Sequence, residues 1–520
     1  MRTAAGLLAL SLGLVHAAAF APAEHWLIGL AAITGLFVLL RRAAGRGASP
    51  LARAALAWLF GIGWFAAGLA WLYVSMHVYG GMPAPMAAAA VVLFAGYLSL
   101  YPAAATWIVA RASPRGGPLP EAAALAGAWT LAEWARGTVM TGFPWLAAGY
   151  AQIDGPLDRL APVTGVYGIG AVAVAIAALL AAAIVPGSRT PGTPGARVTA
   201  ALLACGLLVA PLALPKQGWT SPYGDPLRVR LVQGNVAQDM KFRPERTIAA
   251  MQDYAARFEA GDATLTILPE TAWTVPWDRT PEPIARRILE HVGHGHALAL
   301  GVPTFLAPKD GTGPQLANSV LLLEPRTAVD PRAPVPRYDK RHLVPFGEFV
   351  PPGFRWFVDM MHIPLGDFAR GAPGQPPFEI GGQRIAFNIC YEDLFGEEIR
   401  EALGGDRGAT VLANVSNIAW FGDSHALPQH LAIARMRSLE TGRPMLRATN
   451  TGTTAAIDAQ GRVIGRLRTH VADTLDVAVQ GTEGLTPFAR WGNAPVLGCA
   501  LLLLGGAAFG ARTGGRAQSR

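Results

Sequence analysis

The chain has 520 residues, of which 52% are hydrophobic and only 15% charged, and this excludes an ordinary water-soluble globular protein. Its formal net charge of +8 would suit a nucleic-acid partner, but many basic residues sit in short loops between apolar segments. That is a pattern of membrane orientation, not of phosphate binding, so no nucleic-acid partner is expected. The three cysteines are Cys205, Cys390 and Cys499, and two of them lie in apolar segments. Only Cys390 belongs to the globular part, where no disulfide can form, and a lone thiol facing an oxidising compartment needs a reason.

Seven apolar segments precede the globular part, at residues 4–20, 26–40, 54–74, 86–110, 121–137, 165–185 and 198–214, and an eighth covers 491–511. The second is short, and the fifth carries Glu133 and Arg136. Arg2, an apolar core and Ala17-Ala18-Ala19 also fit a cleaved secretory signal, which would end near residue 21. Arg41, Arg42, Arg46 and Arg53 follow segment two, Arg111 and Arg115 follow four, Arg189 and Arg197 follow six, and Arg512, Arg516 and Arg520 follow eight. The loop 76–85 has no Lys or Arg. The basic loops belong on the cytoplasmic side, which places both termini inside and residues 215–488 outside. The expected organisation is therefore a membrane part over 1–214, a catalytic domain over 215–488, and a last span with its tail over 489–520. Between the fifth and sixth segments, Thr141-Gly-Phe-Pro-Trp145 and Ala148-Gly-Tyr-Ala-Gln152 fit an aromatic belt at the outer interface. They could also form a floor for a lipid substrate.

In the outer part, Leu227–Val232 alternates as a strand and Gln233-Gly-Asn235 turns. Residues 244–260 have helical spacing. Thr264–Leu268 is a strand ending at Pro269-Glu270, residues 281–292 are helical, and Leu298–Val302 and Ser319–Leu323 are strands. A Pro-rich connection leads to Tyr338-Asp-Lys340. Arg384–Ile389 is a strand in which Ile385, Phe387 and Ile389 alternate, as in a half-buried element. Helix 396–403, strand Thr410–Ala413, helix 427–441 and strand Pro444–Ala448 follow. A hairpin over Thr453–Ile464 turns at Asp458-Ala-Gln-Gly461. Strands alternating with helices indicate an α/β sandwich. No phosphate-binding glycine loop, zinc-ligand spacing or internal repeat is present, so no metal or cofactor is expected.

Cys390 stands where a strand runs out and Tyr391-Glu392-Asp393 can open a helix. The sulfur is then held at a sheet edge beside backbone N–H groups that favour a thiolate and a developing oxyanion. A cysteine there can equally be a buried structural residue. Glu270 and Lys340 also stand at strand ends, so the three can converge on one sheet edge as base, oxyanion stabiliser and nucleophile.

Leu268-Pro-Glu270-Thr, Tyr338-Asp-Lys340-Arg-His-Leu-Val-Pro-Phe-Gly-Glu348 and Asn388-Ile-Cys390-Tyr-Glu392 resemble the Glu-Lys-Cys triad words of the nitrilase (carbon-nitrogen hydrolase) superfamily. Val232-Gln-Gly-Asn235, Asn414-Val-Ser-Asn417-Ile-Ala-Trp420-Phe-Gly-Asp423 and Ala434-Arg-Met-Arg437 through Glu440-Thr-Gly-Arg443-Pro444 are similar to its apolipoprotein N-acyltransferase family. The resemblance then extends over essentially the whole chain. It implies an αββα sandwich beside about eight transmembrane helices, in a bacterial inner membrane with the catalytic domain periplasmic. It implies acyl transfer from a phospholipid, typically phosphatidylethanolamine, through a Cys390 thioester to the α-amine of an S-diacylglyceryl-cysteine lipoprotein, by a monomer without cofactor.

The resemblance also implies that Glu348 braces Lys340, that Tyr391 lends its backbone N–H to the oxyanion hole, and that Glu392 orients the elbow. It calls for a tryptophan where this chain has Phe242. Phe242, Trp273, Phe349, Phe354, Trp356, Phe357, Trp420 and Phe421 are the candidates for substrate contact or apolar lids. Two rivals stand beside this reading: a membrane-tethered amidase acting on a small amide, and a transporter or scaffold carrying an inactive hydrolase-like domain.

Overall fold

The computed structural model describes residues 2–23, 25–112, 117–185, 193–215, 218–238, 244–306, 313–330, 334–355 and 368–517. The chain divides into two compact units: Met1–Tyr73 with Pro83–Lys216 and Trp491–Arg520, and Val74–Met82 with Gln217–Arg490.

In the first unit, five helices among the described residues are long and apolar enough to cross a membrane. They are Trp26–Gly45, Pro50–Gly68, Ala84–Ala112, Pro156–Ile184 and Pro194–Ala213. This is fewer than the eight spans expected from the sequence. The second segment extends to Gly45 and so reaches 20 residues. Arg2–Ala17, at 16 residues, is short for a span, and so is the apolar stretch Ala494–Ala507. The expected fifth span is a helix, Pro118–Arg136, that carries Glu121, Glu133 and Arg136.

Two of those charges have an identifiable use. Arg136 Nη1 donates to the carbonyls of Phe143 and Trp145 at 2.5 and 2.8 Å, and Glu133 Oε1 accepts from the Ala148 N–H at 2.9 Å. They satisfy backbone groups of an irregular stretch, residues 137–153, whose turns leave polar groups that no helix ladder takes up. Trp145 and Tyr150, expected in an aromatic belt, are buried within this unit.

The second unit is built on two six-stranded sheets. The first holds β1 (Leu227–Gln233), β2 (Leu265–Ile267), β3 (Ala297–Leu306), β4 (Gln315–Leu323) and β5 (Arg337–Asp339). The second holds β6 (Phe378–Ile380), β7 (Gln383–Ile389), β8 (Val411–Ser416), β9 (Met445–Thr449), β10 (Ala455–Ile457) and β11 (Val463–Arg466). A final strand, β12 (Asp473–Val479), returns to the first sheet, giving the orders β12-β1-β2-β3-β4-β5 and β11-β10-β9-β8-β7-β6. In each sheet three central strands run parallel and antiparallel strands close both sides.

The period-2 alternation decides which residues face the middle. Leu227, Val229 and Leu231 of β1 and Ile385, Phe387 and Ile389 of β7 meet in one cluster between the sheets. The opposite face of the first sheet packs on helices Pro244–Glu259 and Glu282–Gly293 through Leu298, Leu300, Met251, Phe258 and Ile288. The opposite face of the second packs on helix Ala426–Thr441 through Ala386, Leu412, Leu431 and Ala434. The layers are therefore α-β-β-α. β7 is not half-buried as its alternation suggests, because Ala386 and Asn388 on its other face are covered as well. β12 pairs with β1 along its whole length and was not expected, although Leu475 and Val477 alternate with Asp476.

One glycine fixes the end of β2. A Cβ built on Gly301 of β3 would lie 2.2 Å from the Pro269 carbonyl oxygen and 2.9 Å from Glu270 Cα, both rigid backbone. Gly301→Ala should therefore displace the strand end that bears Glu270. The expected cost is about 1–3 kcal/mol of stability, read as a lower unfolding midpoint in detergent. It should come with a fall in activity larger than that caused by an alanine at the solvent-facing Gly404, which has nothing within 4 Å.

Candidate active site

Three chain segments run off strand ends and meet. Glu270 lies just beyond β2, Lys340 follows β5, and Cys390 follows β7. The first two strands belong to one sheet and β7 to the other, so the group joins the two sheets rather than lining one edge of a single sheet.

Lys340 is the centre of the group. Its side chain is 1% exposed, and its Nζ donates to Glu270 Oε1 at 3.2 Å and to Glu348 Oε1 at 2.8 Å. Asn318 on β4 bridges the same two carboxylates, with Nδ2 at 2.7 Å from Glu270 and 3.0 Å from Glu348. The other oxygen of Glu270 accepts from the Asn417 N–H at 2.7 Å, and that of Glu348 from the Val344 N–H at 2.9 Å. Burial alone would push the Glu270 carboxyl up. The Lys340 ammonium and these amide donors outweigh it and hold the carboxyl below its ordinary value. Burial would likewise lower the Lys340 ammonium, but Glu270 and Glu348 raise it above the ordinary lysine range. Lys340 and Glu270 are therefore an ion pair at neutral pH, with the Glu348 carboxyl as the second partner of the ammonium.

Cys390 is half-buried. Burial pushes its thiol well up, and the Glu270 carboxylate adds to this, while the Lys340 ammonium and the Ser416 hydroxyl pull the other way. The resting sulfur is a neutral thiol near a carboxylate, not a thiolate. Its backbone is left-handed, with φ of 53°, and the turn Cys390–Leu394 is a 3₁₀ turn where the sequence suggested the opening of an α-helix. Glu392 closes this turn. It accepts from the N–H groups of Ile389, Arg341 and His342 at 2.6, 2.7 and 3.0 Å and from the Tyr338 hydroxyl at 2.9 Å. Burial still raises its carboxyl to about 6. Tyr391 is buried, its ring against His342 and Phe395.

Other residues bracing the site gave little sign in the sequence. Asn414 Nδ2 donates to Asn388 Oδ1 at 2.6 Å and to the Cys390 carbonyl at 3.2 Å, and Ser416 Oγ donates to Asn414 Oδ1 at 2.8 Å. Asn450 ties the loop after β1 to the end of β8 through the Val236 N–H at 2.9 Å, the Val236 carbonyl at 2.8 Å and Asn417 Oδ1 at 3.0 Å. Beneath the turn, Arg447 pairs with Asp393 at 2.6 Å. The available signal was polarity out of place: Asn318, Asn414, Ser416 and Arg447 interrupt strands that are otherwise apolar.

The aromatic candidates separate. Trp273 is a core residue, fully buried under the first sheet with its indole N–H donating to Thr280 Oγ1 at 3.0 Å, so the lid or substrate-contact expectation does not fit its position. Phe349 lies under the Arg370 guanidinium, 4.9 Å from the ring centre. Phe354 is 38% exposed and meets Phe346 edge-on. Trp420 is 39% exposed and meets Tyr79 edge-on, beside the half-buried Phe421. Phe242, Trp356 and Phe357 lie outside the described residues. Among the described residues, no group of three His, Cys, Asp or Glu side chains is placed to hold a metal ion.

Replacing Lys340 by methionine leaves two buried carboxylates without their cation, a loss of about 3–5 kcal/mol at neutral pH. The depressed Glu270 carboxyl contributes stability that is present above its ordinary value of 4.5 and lost as pH falls through its folded value. The raised Lys340 contributes fully at all pH below 10.5. Without Lys340, burial acts on the Glu270 carboxyl unopposed and raises it, so the variant is relieved by protonation as pH falls. The gap in unfolding midpoint between wild type and Lys340→Met should therefore be widest at pH 8 and narrow progressively toward pH 4.5 and below.

Residues 12–179 match the apolipoprotein N-acyltransferase N-terminal domain, and residues 228–487 match the carbon-nitrogen hydrolase family. The chain is 48% identical over 512 residues to an apolipoprotein N-acyltransferase of Ralstonia nicotianae, covering 97% of this chain and 93% of that protein. It is 46% identical over 528 residues to that of Bordetella bronchiseptica, covering 96% of each. With that of Nitrosomonas europaea the identity is 39% over 515 residues, covering 97% of each.

Proposed function

Because this chain belongs to the apolipoprotein N-acyltransferases, acyltransferases of the carbon-nitrogen hydrolase superfamily, we propose that it moves an acyl chain from a phospholipid to a lipoprotein amine by way of Cys390. The observation that supports this most is the buried Glu270–Lys340–Glu348 cluster, whose charges act on the Cys390 thiol. Glu270 is a weaker base than a free thiolate, so it removes the proton only as sulfur attacks the ester carbonyl. Negative charge then appears on the carbonyl oxygen. Lys340 and the Tyr391 backbone N–H are the donors proposed to meet it. Collapse expels the lysophospholipid and leaves a thioester on Cys390, with Glu270 returning its proton to the leaving oxygen.

In the second half, the free α-amine of an S-diacylglyceryl-cysteine lipoprotein attacks the thioester. Glu270 takes the amine's proton and passes it to the departing sulfur, which restores the Cys390 thiol and the Glu270 carboxylate. No nucleotide is needed, because the amide formed is better resonance-stabilised than the thioester consumed. Phosphatidylethanolamine is the proposed donor, and a monomer is the proposed active form. Glu348, by pairing with Lys340, keeps the ammonium aimed at the oxyanion. Glu392, by gathering the N–H groups of Ile389, Arg341 and His342, holds the elbow.

Two features support catalysis against a lipid surface. Apolar helices are present in the first unit, and Phe354 and Trp420 of the second expose large apolar side chains. The basic loops between apolar segments support eight spans in an inner membrane, both termini cytoplasmic and the catalytic domain periplasmic. Residues 1–214, 215–488 and 489–520 are the proposed functional divisions.

The test is a trapping experiment. The protein in micelles is incubated with phospholipid labelled in its sn-1 acyl chain. A hydroxylamine-sensitive label on the Cys390 peptide is expected, absent in Cys390→Ala and discharged by a diacylglyceryl-cysteine peptide. A wild-type chain that hydrolyses small amides and never takes the label would establish the amidase instead.

A further inference from the structure

The carbonyl of Cys390 is held by two side chains, only one of which comes from a neighbouring strand. Asn414 Nδ2 on β8 reaches it at 3.2 Å, and His430 Nε2 on helix Ala426–Thr441 reaches it at 3.2 Å from the layer behind the sheet. His430 is 1% exposed. Its other nitrogen, Nδ1, lies 3.0 Å from Arg447 Nη2. A guanidinium has no acceptor, so Nδ1 must accept, and the ring's one proton sits on Nε2, which meets the Cys390 carbonyl at 3.2 Å with the Asp393 carboxylate farther off at 3.5 Å. Arg447 is itself fixed by Asp393 at 2.6 Å, three residues beyond Cys390 in the same turn. The loop of contacts Cys390–His430–Arg447–Asp393 therefore closes on the turn it holds. Burial, and then the Arg447 charge, keep the imidazole well below its ordinary value, so the neutral form persists.

The carbonyl matters because of what shares its plane. The C=O of Cys390 and the N–H of Tyr391 belong to one trans peptide and point in opposite directions. Fixing the oxygen on the helix side aims the N–H away from it. The left-handed φ of 53° at Cys390 makes this plane one that the chain would not keep unaided. The imidazole answers polar neighbours on both sides, the Cys390 carbonyl and the Arg447 guanidinium, which a phenyl or thioether would leave unpaired.

We propose that His430 is a positioning residue, which as a fixed Nε2–H donor pins the Cys390–Tyr391 peptide plane and so aims both the sulfur and the Tyr391 N–H at the reacting carbonyl. The inference rests on the acyl-transfer reading of Cys390.

The experiment follows formation of the acyl group on Cys390 with labelled phospholipid, as a single-turnover rate over a range of donor concentrations, in wild type, His430→Phe, His430→Met and His430→Gln. Glutamine is neutral and offers one donor and one acceptor, so it can bridge Arg447 and the carbonyl as imidazole does. Unfolding midpoints in the same detergent report on the fold. The expected result is a fall of about 10–100-fold in the saturating acylation rate for Phe and Met, part of what removal of a whole oxyanion donor costs. The donor concentration for half-saturation should stay within about twofold, because ground-state binding is untouched. Gln should recover the rate to within about fivefold of wild type.

Wild-type rates in Phe or Met overturn the proposal. So does a loss confined to half-saturation, or a Gln variant no faster than Phe. If Phe and Met both fail to fold while Gln folds and acylates slowly, the ring is a packing element and the proposal also fails. A wild-type chain that takes no acyl group at all overturns the acyl-transfer reading itself, a result distinct from each of these.

Discussion

A lysine ammonium that is almost wholly removed from water must be matched where it sits, or it loses its proton or unfolds its surroundings. Lys340 is matched twice, by Glu270 and by Glu348, and the site depends on that arrangement. Both carboxyl groups are also held by fixed dipoles: the Asn318 amide and the N–H groups of Asn417 and Val344. Burial, with the Glu270 charge added to it, holds Cys390 as a thiol. In the proposed mechanism the proton stays on sulfur until a substrate carbonyl offers somewhere for the charge to go. Glu270, paired with Lys340, takes that proton as the nucleophile forms, and Lys340 meets the oxyanion.

The fold supplies this cluster by bringing strands of two sheets together. Glu270 and Lys340 leave the first sheet and Cys390 the second. The sheets are held face to face by the alternating apolar residues of β1 and β7. The register of each sheet therefore places the chemistry, since a slip of one residue in β7 would turn Ile385, Phe387 and Ile389 away from the middle and move the sulfur with them. The first unit shows the same economy in a different setting. Its helix Pro118–Arg136 keeps two charges, Glu133 and Arg136, whose partners are backbone groups of an irregular stretch.

What the sequence disclosed and what it hid follow from the range of the interactions. Strands β1, β2, β3, β7 and β8 are local apolar runs with Gly, Pro or charge at their ends, and they were legible. Glu270, Lys340 and Cys390 stand out in the sequence as candidates because each stands in a distinctive word at a strand end. β12 alternates as clearly as β1, but its role as the partner of β1 joins residues at opposite ends of the domain. Arg447 and Asn318 show only as polar interruptions of apolar strands and His430 shows nothing, because each acts on a residue far away in sequence. Trp273 misled for the converse reason: its place beside Glu270 in sequence suggested the site, while the turn at Thr271 sends its side chain into the core. The charges of Pro118–Arg136 made the span count uncertain from composition, and the helix that carries them is indeed among those too polar to count.

Backbone strain gives an independent indication of where this chain has been shaped for chemistry. Among the described residues of the second unit, the non-glycine positions with positive φ are Asn235, Thr271, Phe346, Cys390 and His470. Thr271 follows Glu270, Phe346 lies two residues before Glu348, and Cys390 bears the sulfur, so three of the five turn the chain at a proposed site residue. At about 1–3 kcal/mol each, these three turns together rival the net stability of a typical domain. They persist only because their surroundings leave no alternative. The Phe346 N–H and the Phe349 carbonyl close a tight loop at 2.9 Å, Glu392 gathers the N–H groups around the elbow, and Asn417 and Asn318 hold Glu270 after its turn. The network of buried asparagines and acids therefore has two tasks at once. It offsets the strain of the turns, and it fixes the directions in which they point their side chains. Removing such a residue would relax the turn as well as lose a hydrogen bond, so its loss should be felt in geometry before it is felt in folding.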